Sequence, residues 1–564
     1  MIDRVTSTAS TGPAATTGAD VIAQALADQG AKYFFNLPGN GVYPMLDPLA
    51  DHGIKYLLGL HEASVVSIAD GYARGSGDVP FVNLYMVPGT ANALSAIYIA
   101  NRDRVPMVIT STQQTRAIIG RDAYASTPDL LGMVRQFTKW CWEVTAPERL
   151  PEAIHRAYKI AAAHPQGPVF LSLPFDLFPA KVTGTLSEPA RPSAVPGYGA
   201  PAAAAVAGIA ERLVSAERIL MVCGKDVVTG GAIDDVVALA DDLGAAVVSE
   251  PWAGVVAFPS PHDLGLGEYT RATFDRIRPT AVLAIGARLF PEAIGAPEPA
   301  FPVGTSVMAI GLDPTDLGRQ QATDIGAVCD IRLGVQAIRA AVRGRVPAAP
   351  RAARLAELAA VQKEIGAANE TVLREHHDNR PMSIARLATE LNGAIDERTL
   401  IVEHATTSTP MLLRYLKIPR PEQIFGTGAS VQGWGMPAAI GLQLARPDER
   451  VLAIVGDGGF TFTCQALWSA AEYRLPVTIL VINNRGYRSM RSGVLREAKR
   501  STAKGVDFGF DFEIDFAHAA AAFGVASQRV EDPADLGATV RAALESGRPS
   551  VIEVVISPNP FPWI

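Results

Sequence analysis

The chain has 564 residues, 48% of them hydrophobic, a formal net charge of −7 and an isoelectric point near 5.8. That length exceeds what one core can organise and predicts roughly three domains of about 150–200 residues. The acidic balance gives no electrostatic reason to expect a nucleic-acid partner, and no apolar run approaches the roughly 18 residues of a membrane span, so neither partner is expected.

Residues 1–17 are read as a loose tail, polar from Asp3 and Arg4 onward and lacking the apolar segment of a secretory signal. Cys141, Cys223, Cys329 and Cys464 are too scattered for paired zinc or redox work, which suits reduced thiols and a cytoplasmic setting. In the first block, 18–188, KYFFNLPG, IKYLLGLHE, FVNLYMV, PMVITST and PVFLSLP read as strands. A Pro/Ala-rich linker at 187–203 leads to a second block, 189–348, with strands RILMVCG, AAVVSE, AVLAIGA and SVMAIG. Another linker at 344–353 opens the third block, 349–564, with strands TLIVEHA, VLAIVG, VTILVIN and PSVIEVVI. Short apolar runs alternating with longer amphipathic segments predict α/β domains built on doubly wound parallel sheets.

The chemistry is most legible in the third block. The apolar run 451–455 ends in Gly456, Asp457, Gly458 and Gly459, a helix is predicted over 463–473, and the run 477–482 ends in Asn483 and Asn484. Two neighbouring parallel strands would set Asp457 and Asn484 side by side at their carboxyl ends, where doubly wound sheets bind ligands. Magnesium takes hard oxygen ligands; the Asp457 carboxylate, the Asn484 amide oxygen and a loop carbonyl at Gly486 would leave room for phosphate oxygens and water. Glycines at 456, 458 and 459 let backbone approach phosphate, and the following helix offers free N–H groups.

GDG followed by 24 residues and NN resembles the thiamine diphosphate signature of the pyruvate decarboxylase and acetolactate synthase superfamily. HEAxxxxxADGYAR, beginning at His61, resembles that superfamily's segment carrying the cofactor-activating glutamate, here Glu62. QQTRAIIGRDA, TKWCWEV, AHPQGPVFLSLPFD, GLDPTDLGRQQATDIGAVCDI and GMPAAIGLQLARP most resemble its benzoylformate decarboxylase branch. The resemblance implies a pyrimidine-binding, a central Rossmann-like and a diphosphate-binding domain, with thiamine diphosphate and Mg2+ as cofactors. It also implies a homodimer at minimum, commonly a homotetramer, because the two halves of each site come from different subunits. Thr406, Thr407, Gly458, Gly459 and Tyr487 would contact the diphosphate, and Ser430 would offer its carbonyl to the aminopyrimidine. GKDVV at 224–228 lacks GxGxxG spacing, so no FAD is expected.

Four positions depart from the branch. Where its members carry two histidines and a serine, this chain has Tyr85, about Ala293, and Asn40; a phenol and an amide do not shuttle protons near neutrality as histidine does. The fourth is Gln432, where relatives place an apolar wedge beneath the cofactor; it either wedges with its methylenes or also touches substrate. Tyr85, Gln113 and Asn40, with Gln432, are the candidate substrate contacts. His376 and His377 read as a solvated helix end, and His404 as either a strand-end residue bonded to a loop or a catalytic group. Arg485, Arg488, Arg491, Arg496, Lys499, Arg500 and Lys504 face only Glu497 across 485–504, the pattern of an anion-attracting mouth or of a solvated loop. The tail SPNPFPWI would serve as lid or interface. The expected activity is carbon–carbon cleavage or formation on a 2-oxo acid, nearest to benzoylformate decarboxylation. The alternatives are acyloin ligation, cleavage of an acyl-CoA substrate, and a catalytically silent regulatory homologue, the last opposed by intact Glu62, Asp457 and Asn484.

Overall fold

The structure is a computed structural model that describes residues 16–39, 41–182, 197–289 and 300–557; Asn40, Ala293 and most of the two tails lie outside it. The first sheet comprises β1 (Tyr33–Asn36), β2 (Lys55–Leu58), β3 (Phe81–Leu84), β4 (Met107–Gln113), β5 (Cys141–Glu143) and β6 (Pro168–Pro174), in the order β2-β1-β3-β4-β6-β5. The second comprises β7 (Ile219–Cys223), β8 (Ala246–Ser249), β9 (Gly265–Glu268), β10 (Ala281–Ile285), β11 (Ser306–Gly311) and β12 (Ile325–Val328), in the order β12-β11-β10-β7-β8-β9. The third comprises β13 (Thr399–His404), β14 (Ile424–Phe425), β15 (Arg450–Gly456), β16 (Val477–Asn483), β17 (Ala526–Val530) and β18 (Ser550–Val555), in the order β14-β13-β15-β16-β18-β17. Strands are parallel within each sheet, as in β15–β16, where Gly456 pairs with Ile482. Interior strands such as β4, β6 and β16 are buried along their whole length, which is why β6 and β16 read as largely apolar runs, while β4 turns polar over Thr110–Gln113 toward its carboxyl end.

Two boundaries differ from expectation. Thr17, assigned to the loose tail, caps the helix Gly18–Asp28, exchanging side-chain hydrogen bonds with Asp20 in a capping box. The linker expected at 344–353 instead runs into a 29-residue helix, Ala348–His376. Pro350 falls in its first turn, where no intrahelical N–H is required, and the Ala-, Leu- and Glu-rich sequence has high helix propensity. His376 and His377 do end this helix, the His377 side chain half-exposed.

The largest apolar core is shared by the first and third domains. Its axis is a crossing of the helices Glu62–Ser76 and Gly435–Ala445, which touch backbone to backbone. A Cβ at Gly71 would lie 1.9 Å from the Ala438 carbonyl oxygen, and one at Gly441 1.8 Å from that of Ile68, so neither position admits a side chain. Beside the crossing, the buried Arg74 pairs with Asp70 (2.6 Å) and Asp103 (2.7 Å), donates to the Gly426 carbonyl (2.8 Å) and lies 4.7 Å above the Trp434 ring. Trp434 in turn donates to Asp70 at 2.9 Å. A buried cation held by two carboxylates, a carbonyl and an aromatic face has its charge compensated, and removing one carboxylate would leave it a single anionic partner. In the central domain a cavity of about 510 Å³ opens at the carboxyl ends of β7 and β10, lined by Lys225, Asp226 and Arg288 and, from the first domain, Arg74 and Arg104. No described helix is long and apolar enough to cross a membrane.

Candidate active site

The carboxyl ends of β13, β15 and β16 form one edge. Asp457 follows β15 and itself begins the helix Asp457–Thr463, so the helix N-terminus lies at the predicted clamp rather than six residues later; a second helix, Ala466–Glu472, follows. Asp457 Oδ1 accepts from the Gly458 N–H at 2.7 Å and Oδ2 from the Gly486 N–H at 3.0 Å. Burial pushes its pKa up, while these and the N–H groups of Asn484 and Arg485 oppose that shift by stabilising the carboxylate. A Cβ at Gly458 would lie 2.5 Å from the Tyr487 ring, which packs edge-on to Phe512 with centroids 4.9 Å apart. Gly486, at φ +141°, has no room for a side chain: its Cβ would fall 2.1 Å from the Phe510 carbonyl oxygen. The Gly486 carbonyl, expected as a metal ligand, accepts from the Arg488 N–H at 2.9 Å; a carbonyl oxygen has two lone pairs.

Thr406, at φ +47°, receives a hydrogen bond on Oγ1 from Gln432 Nε2 at 3.1 Å, and Gln432 Oε1 lies 3.3 Å from where a Gly459 Cβ would be. Gln432, Thr406 and Gly459 therefore meet, and the glutamine amide finds its partner in the phosphate loop. Thr407 follows in that loop, and Ser430, at φ +54°, is exposed. His404 is buried, accepts on Nδ1 from the Gly435 N–H at 3.2 Å and packs edge-on to Trp434. Burial lowers its pKa to about 4, so it is a neutral acceptor holding the Gln432–Gly435 turn.

The basic segment divides. Arg488, buried, donates to the carbonyls of Asn484 (2.7 Å) and Arg485 (2.8 Å) and pairs with Asp511, as does Arg491; Arg496 pairs with Glu497. Arg485, Lys499, Arg500 and Lys504 make no ion pair among the described residues. Composition alone did not separate the arginine that stitches the clamp loop from the solvated cations, because its anionic partner, Asp511, stands beyond the basic run.

The second edge belongs to the first sheet. Glu62, 6% exposed, opens the helix Glu62–Ser76 after a His61 cap, and its Oε2 accepts from Asn92 Nδ2 at 3.1 Å. Its Oε1 accepts no hydrogen bond among the described residues. A Cβ at Gly89 would lie 3.0 Å from Glu62 Oε1 and 3.4 Å from Tyr85 Cβ, so Glu62 and Tyr85 flank the same glycine. The Tyr85 ring lies on Gly39, next to the undescribed Asn40. Burial, then the phenols of Tyr124 and Tyr43, raise the Tyr85 pKa, keeping it a neutral hydrogen-bond donor. Gln113 ends β4, the neighbour of β3, buried, with Oε1 turned back to the Gln114 N–H at 2.9 Å. Sequence reasoning missed Asn92, Gly89 and Tyr124: the first two lie on the helix Met86–Arg102, and Tyr124 reaches Tyr85 from a loop without periodicity.

Residues 16–133 match the N-terminal TPP binding domain of thiamine pyrophosphate enzymes, 206–338 their central domain and 405–554 their C-terminal TPP binding domain. The chain belongs to the thiamine pyrophosphate enzyme family. It is 30% identical to a benzoylformate decarboxylase of Pseudomonas aeruginosa, over 93% of this chain and 96% of that one. It is 26% identical to an acetolactate synthase large subunit of Lactococcus lactis, over 96% of this chain and 93% of the other. A 4-hydroxybenzoylformate decarboxylase of Rhodococcus jostii superposes with a TM-score of 0.84 at 25% identity, covering 97% of this chain and all of that one. As a thiamine pyrophosphate enzyme it is of the lyase or carboligase type, in a family acting on 2-oxo acids.

The residues fit the family cofactor. The Gly458–Tyr487 and Gly459–Gln432 contacts form a backbone cradle that any Cβ would fill, and Glu62 presents a buried oxygen to a donor. Among the described residues no cluster of three or more His, Cys, Asp or Glu could hold a metal, so a cation here would be completed by amide, carbonyl and phosphate oxygens. Such a hard-oxygen set suits a divalent cation of the magnesium type.

Proposed function

We propose that this chain is a magnesium- and thiamine diphosphate-dependent enzyme that breaks the bond beside the carbonyl of an aryl 2-oxo acid, a benzoylformate-type decarboxylation. The observation that supports the reading is the make-up of two edges: Asp457, Asn484 and Gly486 with the glycine cradle on one, and Glu62 beside Tyr85 on the other. Asp457, Asn484 and Gly486 would hold Mg2+, and Thr406, Thr407, Gly456, Gly458, Gly459 and Tyr487 the diphosphate. Bound thiamine diphosphate supplies the electron sink for the pair released when the bond breaks. Glu62, oriented by Asn92, would present Oε1 to the pyrimidine ring; Ser430 would offer its carbonyl to the ring's amine, and Gln432, anchored on Thr406, would support the cofactor. Tyr85 and Gln113, with Asn40, orient the substrate.

In this family the two halves of each site come from different subunits, so the reading includes a second copy of the chain that brings the two edges together, in a homodimer or a homotetramer. Carbon–carbon ligation is the second reading, and Tyr85 favours it: a phenol with raised pKa gives up its proton reluctantly, which leaves time for capture by a second carbonyl compound. The test is Glu62→Gln, assayed with benzoylformate, pyruvate and a 2-hydroxyacyl-CoA for carbon dioxide, aldehyde and ligated product. The variant should bind thiamine diphosphate like the parent and lose at least about 100-fold in kcat; unchanged kcat would defeat the reading.

A further inference from the structure

Strand β13 delivers its last residues into the phosphate loop, and the one before His404 is a carboxyl group that the function above leaves unused. Glu403 is 8% exposed. Its Oε1 accepts from the Ala405 N–H at 2.8 Å and from Thr409 Oγ1 at 2.5 Å. These two donors bracket Thr406, Thr407 and Ser408, so a single oxygen pins both ends of the segment that presents the two threonines. The segment is internally turned as well, with Ser408 N–H on the Ala405 carbonyl at 3.0 Å and Thr409 N–H on that of Thr406 at 3.4 Å. Thr406 sits at φ +47°, a conformation a non-glycine residue keeps only when its surroundings impose it.

The charge around Glu403 is one-sided. The charged group facing it is Glu268 on β9 of the central domain, itself held by the Trp252 N–H at 3.0 Å; from its own strand and the following loop it meets only the neutral donors of Ala405 and Thr409. Burial, reinforced by Glu268, raises its pKa to about 7 against those two hydrogen bonds, so the acid holds its proton across the lower half of the physiological range. A neutral carboxyl keeps the same accepting oxygen. An ionised one adds a second negative charge beside Glu268, directly beneath a loop read as a diphosphate site.

We propose that Glu403 is the positioning residue of the phosphate loop and acts as the neutral acid, so that ionising it weakens the loop's hold on the diphosphate of thiamine diphosphate. This rests on the reading that Thr406 and Thr407 bind that group. The sign follows from the charges: protonated, Glu403 shapes the loop without repelling the ligand; as pH rises through neutrality it keeps the shape and gains the repulsion.

The test measures the Kd of the full chain for thiamine diphosphate with saturating magnesium, by titration calorimetry between pH 6 and 8.5. Glu403→Gln retains an accepting oxygen and cannot ionise. It should match the parent at pH 6 and bind about tenfold more tightly than the parent at pH 8.5, and the ratio of the two removes the ligand's own titration. Glu268→Gln should move the midpoint of the parent's curve to lower pH, a shift no purely structural role produces. Glu403→Ala should weaken binding about tenfold at pH 6, and less relative to the parent at pH 8.5, where it also removes the repelling charge. A Glu403→Gln curve that tracks the parent throughout would overturn the neutral-acid role, and an unweakened Glu403→Ala at pH 6 would overturn positioning itself. Thr406→Ala separates the premise: if it binds thiamine diphosphate as the parent does, the reading of the loop fails independently of Glu403.

Discussion

The first and third sheets have the same strand order, the second strand beside the first, then third, fourth, sixth and fifth, yet their carboxyl edges carry opposite chemistry. After the third strand the first domain places Tyr85 and the third domain Asp457; at the end of the fourth, Gln113 stands where the other has Asn484. After the first strand come Gly39 and Asn40 in one and Thr406 and Thr407 in the other. One edge is built from glycines, a carboxylate and a helix N-terminus, suited to metal and phosphate. The other is built from phenols, amides and one buried acid, suited to an organic ring and a substrate. One scaffold repeated in a chain thus carries two edges of different composition, which the proposed function reads as a holding edge and a reacting edge, and the difference lies in residues at and just past the strand ends.

This division is open to three substitutions, taken from the largest expected effect down. Asp457→Ala should abolish magnesium-dependent cofactor binding and lower activity about 1000-fold or more, and chelation of the parent should reproduce the loss until magnesium is returned. If the variant bound thiamine diphosphate normally in calorimetry, the holding edge would be misassigned. Gly441→Val drives methyl groups into the Ile68 carbonyl and should destabilise the fold by about 3 kcal/mol, read as a lowered thermal midpoint; an unchanged midpoint would show that the two domains carrying the edges are not locked together at this crossing. Tyr85→Phe removes one phenol oxygen from the reacting edge. It should raise KM about tenfold with the Kd for thiamine diphosphate unmoved, and a comparable loss of cofactor affinity would mean that the edges share their work.

The interior strands were legible because burial on both faces leaves an unbroken apolar run. The strands β5, β9, β12, β14 and β17 were not, and all five are edge strands. Partly or wholly exposed along most of their length, like Ala526–Val530, or only two residues long, like Ile424–Phe425, they carry no periodic signal and form because a neighbour offers unpaired backbone. The same physics limited the site. Asp457, Asn484 and Gly486, proposed above as metal ligands, could be singled out because metal and phosphate demand particular residue types at particular strand ends. Asn92 beside Glu62, Asp511 beside Arg488 and Thr409 beside Glu403 serve by position, through contacts that only the fold creates.

The helix crossing at Gly71 and Gly441 also bears on how the chain is made. Asp70 and Trp434, hydrogen-bonded at that joint, are 364 residues apart, so at about 5–20 residues per second the ribosome needs roughly 20–70 s to deliver the second after the first. Throughout that interval the groove around Gly71, shaped to receive another helix at backbone distance, waits without its partner. The first domain therefore leaves the ribosome with a seam that its own chain fills only after the third domain has been made.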